Sequence, residues 1–77
     1  MNETRREELK NIHETLFTLF RRLYSIQDEE GEAYENVPEP LQASRKAMRI
    51  ANAEDFLDRA TDCLMEVLSF IESTIED

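Results

Sequence analysis

Residues 50–75 read IANAEDFLDRATDCLMEVLSFIESTI, and this stretch carries two apolar series rather than one. Ile50, Leu57, Leu64, Leu68, Ile71 and Ile75 form the first; Ala53, Phe56, Ala60, Cys63, Val67 and Phe70 form the second. Steps of three and four keep side chains on one side of an α-helix. The doubling recurs in residues 9–26, LKNIHETLFTLFRRLYSI, where Leu9, Ile12, Leu16, Leu19, Leu23 and Ile26 are flanked by His13, Phe17, Phe20 and Tyr24. A single three-four stripe needs one partner helix. Two adjacent stripes, at about 100° per residue, cover roughly half the helix circumference. A two-helix hairpin cannot bury that arc alone. The expected fold is therefore all-α: two long antiparallel helices that dimerise into a four-helix bundle. Phe17, Phe20, Tyr24, Phe56, Cys63, Val67 and Phe70 are the expected dimer interface.

The 77 residues include one Gly, two Pro, no Trp and 35% charged side chains, a helical rather than a β composition. A chain this short needs an exceptional core or a shared one. The single Cys makes no internal disulfide, so folding does not depend on an oxidising compartment. Acids, not an apolar run, follow Arg5 and Arg6, which is not the pattern of a signal peptide. No run approaches the ~20 apolar residues of a membrane span, and a cytoplasmic location is expected. The net charge of −9 argues against direct binding of nucleic acid or of an anionic membrane surface, and permits a basic protein partner.

The pattern divides the single domain into a helix over about 3–36, a turn over about 37–43 and a helix over about 44–76. Asn2 and the acids after it suit a helix N-terminus. Gly31 interrupts an acidic stretch, at a cost of about 1 kcal/mol against Ala, and marks a place for a local break. Pro38 and Pro40 end the first helix. Ser44 is the expected N-cap of the second, and Leu41 is expected to fold back as a plug, packing with Tyr34, Val37 and Pro38. An antiparallel pair turning near residue 40 sets paired positions to sum to about 80. Arg5, Arg6 and Lys10 would then meet Glu72, Glu76 and Asp77; Arg45, Lys46 and Arg49 would meet the acids of 28–35; Arg21 and Arg22 would meet Asp58. Leu16, Leu19, Leu23, Leu57, Leu64, Leu68 and Ile71 are the expected core.

No catalytic, metal or cofactor constellation is expected. His13 lacks the Glu-x-x-His or His-x-x-x-His spacing of a bundle metal site and reads as structural. Cys63 has Asp62 and Glu66 nearby, not the electropositive setting of a nucleophile, and reads as a buried small hydrophobe. The aromatic side chains lack convergent polar groups, so they read as core or interface rather than a ligand pocket. Asp55, Asp58, Asp62 and Glu66 form an acidic row on the second helix, the candidate partner-binding surface. This row admits a sharper reading, imitation of a nucleic-acid backbone toward a basic groove. The mixed outward face of the first helix (Glu7, Glu14, Arg21, Asp28 and Glu32) dilutes that imitation and favours a solvated face.

The segment from Glu32 to Ser44 resembles the turn of a widespread group of small helical-hairpin proteins of Firmicutes and their phages. Members typically show Glu-Ala-Tyr-Asp-Asn-Leu-Pro-Glu-Ser-Leu-Gln between two helices. Ala33, Tyr34, Asn36, Pro38, Leu41 and Gln42 match. Pro40 departs from the group's usual Ser, and Arg45–Arg49 is more basic than its usual acidic run. The resemblance implies a helical hairpin and a mobile-element context; no activity comes with it. The expected function is that of a non-enzymatic acidic interaction protein that binds itself and a protein partner. A purely structural dimerisation module is the alternative.

Overall fold

The computed structural model describes Met1–Asp77 throughout. Helix α1 spans Glu3–Glu35, a single 3-10 turn spans Glu39–Leu41, and helix α2 spans Arg45–Glu76. The helices lie against each other as an antiparallel hairpin about 59 Å long and 15 × 14 Å across.

The boundaries follow from local chemistry. The Asn2 side chain accepts a hydrogen bond from the Arg5 backbone N–H at 2.8 Å, satisfying a donor that has no partner inside the helix. Ser44 does the same for Ala47 at 3.2 Å. Asn36 caps α1 just ahead of Val37-Pro38, where proline excludes a helical residue before it. The helix runs unbroken through Gly31. A Cβ at that position would meet only the Glu54 carboxyl group, its Oε1 nearest at 3.0 Å, the far end of a flexible side chain. The carboxylate can swing aside, so the helix-propensity gain of about 0.5–1 kcal/mol decides the sign. Gly31→Ala is expected to raise the melting temperature by a few degrees in a circular-dichroism melt. A lower value would mean that Glu54 is held where it stands.

The seam between the helices keeps strict steps of three and four. On α1 it comprises Arg6, Leu9, His13, Leu16, Phe20, Leu23, Gln27, Glu30 and Tyr34, continued by Val37 of the turn, all half-buried. On α2 it comprises Ala47, Ile50, Glu54, Leu57, Thr61, Leu64, Leu68, Ile71 and Ile75. This differs from the expected core. Leu19 is exposed, along with its neighbours Ile12 and Ile26 on the same flank of α1. Leu16, Leu23, Leu57, Leu64 and Ile71 are only half-buried, while Leu68 is buried at 5% exposure. Ala47 and Thr61 are the other two buried residues. The seam runs down the middle of the wide apolar arc. It therefore takes in polar His13, Gln27 and Thr61 and leaves apolar side chains on both flanks.

Those polar residues are paired across the seam. His13 Nε2 lies 2.8 Å from Glu72 Oε1. Gln27 Nε2 donates to the Asp58 carboxylate at 3.1 Å, and the Thr61 hydroxyl lies 3.0 Å from Gln27 Oε1 and 2.9 Å from the Asp58 carbonyl. The Arg6 guanidinium donates to the Ile75 carbonyl. Paired numbers thus sum to 81 at the open end and to 85–88 along the middle, not to 80. None of the expected cross-helix ion pairs of Arg or Lys forms. Arg6 pairs with Glu3, Lys10 with Glu7 and Arg59 with Asp55, each within one helix, and His13–Glu72 alone crosses the seam.

Candidate functional site

A coiled-coil wheel places the remaining side chains on two flanks. Reversal of direction at the turn brings like flanks of the two helices together. On one flank, α1 contributes Ile12, Leu19 and Ile26, and α2 contributes Ala53, Phe56, Ala60, Cys63, Val67 and Phe70. Phe56 and Phe70 are the most exposed large apolar side chains of the chain, at 66% and 71%. Cys63 is exposed as well, so the hairpin does not bury it as expected. Alternation of small and large side chains along α2 leaves gaps beside each aromatic ring, the relief that interlocks with a facing helix.

The opposite flank is built differently. His13, Phe17, Phe20 and Tyr24 form a continuous ladder with ring centroids 6.4, 6.3 and 6.2 Å apart. Phe20 is half-buried in the seam; Phe17 and Tyr24 are exposed. Met65 of α2, also exposed, lies on this same flank. The expected interface residues therefore belong to two opposite faces and the seam between them, not to one surface.

Charge is divided between the faces as sharply as shape. The ladder side carries Glu3, Glu7, Glu14, Asp28, Glu35, Asp55, Asp58, Asp62, Glu72 and Glu76 against Lys10 and Arg21, which is −8 of the net −9. The Phe56–Phe70 side carries Arg5, Arg22, Lys46 and Arg49 against Glu8, Glu29 and Asp77, and is close to neutral. The row Asp55, Asp58 and Asp62 is thus continued, not diluted, by the outward acids of α1. Glu66 sits at its outer margin. Sequence reading missed this alignment because the phase of one helix relative to the other decides it. Arg59 pairs with Asp55 at 3.0 Å and lies 5.7 Å from the Phe56 ring centroid, bridging the acidic edge to the apolar face.

At the closed end, Ala33, Val37, Pro38, Leu41, Ala47 and Ile50 line a shallow cleft of about 380 Å³. Leu41 is 55% exposed and Pro38 is exposed, so neither seals the hairpin end as a plug. The turn is held by Leu41 N–H to the Pro38 carbonyl at 2.8 Å and by Gln42 Nε2 to the Val37 carbonyl at 3.3 Å. Burial separates the two apolar turn residues. Val37→Ser is expected to cost about 1–2 kcal/mol in urea unfolding, and Leu41→Ser less than about 0.5 kcal/mol. Equal losses would restore the plug.

No cluster of three or more His, Cys, Asp or Glu side chains is arranged to hold a metal ion. No helix is long and apolar enough to cross a membrane. No protein-family model, no curated protein and no solved structure matches the chain.

Proposed function

We propose that this protein is a non-catalytic interaction module that works as a homodimeric four-helix bundle and engages a protein partner through the bundle's outer surface. The uncovered apolar face of Ile12, Leu19, Ile26, Phe56, Cys63, Val67 and Phe70 carries the reading. The extended shape of the hairpin adds to it. The chain exposes 6121 Å², against about 4,900 Å² expected for a compact monomer of its mass. The excess of roughly 1,200 Å² belongs to the extended hairpin as a whole, 59 Å long and about 15 Å across, and side-by-side pairing along the apolar face would reduce it. The near-neutral charge of this face supports a second copy as the cover, since two like faces meet there without repulsion. Stacked hairpins would give each helix two neighbours, as a four-helix bundle requires. The turn resemblance supports a phage or mobile-element setting for the assembly. Sedimentation equilibrium at micromolar concentration tests the proposal, with two chains per particle expected. A well-behaved monomer would overturn it; a tetramer would keep the bundle and change its stoichiometry.

A further inference from the structure

We infer that the ladder face, opposite the proposed dimer face, docks a basic amphipathic helix from a partner protein. Its centre is apolar: Phe17 and Tyr24 of α1 with Met65 of α2, all about half exposed. Phe17 and Tyr24 are seven residues apart, roughly 10 Å along the helix axis. A docked helix repeats its apolar anchors at that same interval. Methionine and flat rings adapt to varied apolar side chains. Asp58, Asp62 and Glu72 line one side of this centre, and Glu14 and Asp28 line the other. A helix with Leu or Phe on one face and Lys or Arg beside them matches both parts of the surface.

Charge selects this occupant over others. A second copy would bring −8 against −8 on this face, and nucleic acid or an anionic bilayer would add more negative charge. The inference does not rest on the dimer. The two faces lie on opposite sides of the hairpin, so both can be occupied together.

The probe is a synthetic Leu/Lys peptide of about 18 residues with leucines at helical spacing, beside an isomer of the same composition with the leucines scrambled. Isothermal titration calorimetry against the full chain is expected to give saturable binding, one peptide per chain, weakening with added salt. Binding should fall at least about tenfold with the scrambled isomer, with Phe17→Ser/Tyr24→Ser and with Asp58→Asn/Asp62→Asn. Phe56→Ser/Phe70→Ser should leave binding unchanged while altering the sedimentation result, which separates this inference from the dimer proposal. Absence of binding, or equal binding of the scrambled isomer, overturns it, the latter by reducing the face to bulk charge. Loss of binding in the Phe56/Phe70 variant overturns it by placing the peptide on the other face. A drop from four chains to two in the Phe17/Tyr24 variant overturns it by making a second copy the occupant. The two peptides with the unaltered protein decide the matter even where a variant fails to fold.

Discussion

Phe56→Glu combined with Phe70→Glu is expected to abolish the proposed dimer and leave the protein monomeric. These two rings are the most exposed large apolar groups, and they sit 14 residues apart on one line of α2. Full burial of a phenylalanine side chain contributes about 1.5–3 kcal/mol. The rings are already about one third buried in a single hairpin and a two-fold interface contains each twice, so the substitutions remove roughly 4–8 kcal/mol before any penalty for burying carboxylates. At 1.4 kcal/mol per tenfold, association weakens by at least about a thousandfold. Sedimentation equilibrium reads the change directly. Helix content should persist because the seam is untouched, although the melt should shift to lower temperature. A dimer that survives both substitutions would place the interface elsewhere.

The second large effect belongs to Leu68→Ala. Leu68 is the only large apolar side chain that a single hairpin buries, at 5% exposure. Truncation removes its transfer free energy and leaves a void between two helices that cannot close up, at about 2–5 kcal/mol. That is a large share of the stability of a small domain. Urea unfolding measures the loss, with Glu14→Ala as a comparison expected to lie within about 0.5 kcal/mol of the unaltered protein. A Leu68 effect no greater than that of Glu14 would mean that the seam runs along another line.

The parts of this fold that local chemistry decides were legible in the sequence. Asn2 and Ser44 cap the helices because their side chains reach their own chain's third N–H. Asn36 ends α1 because a proline stands two residues on. The axial register was not legible, since apolar periodicity fixes which way a helix faces but not how far it slides. Along the middle of the hairpin the register differs by five or more from the value set by placing the turn at residue 40. The choice of stripe was missed for another reason. Ranking by hydrophobicity favours Ile12, Leu19 and Ile26 over His13, Phe20 and Gln27. The wide arc, however, has its middle on the latter set, and the polar members become tolerable once Glu72, Asp58 and Thr61 stand opposite them. The acidic row was legible as residues. Its continuation across α1 depended on the same unseen phase.

The polar pairs across the seam also answer a problem that strict repetition creates. A seam that repeats every seven residues fits almost as well after slipping by one repeat. Here a slip in either direction takes His13 away from Glu72 and moves Gln27 from Thr61 to face Glu54 or Leu68. Polar groups left unpaired between helices cost more than their pairs contribute. His13, Gln27 and Thr61 therefore act as an alignment key. They yield some of the stability that three leucines would provide, and in return the hairpin has one vernier setting. That setting determines which side chains of α1 and α2 stand side by side, and so the layout of both outer faces.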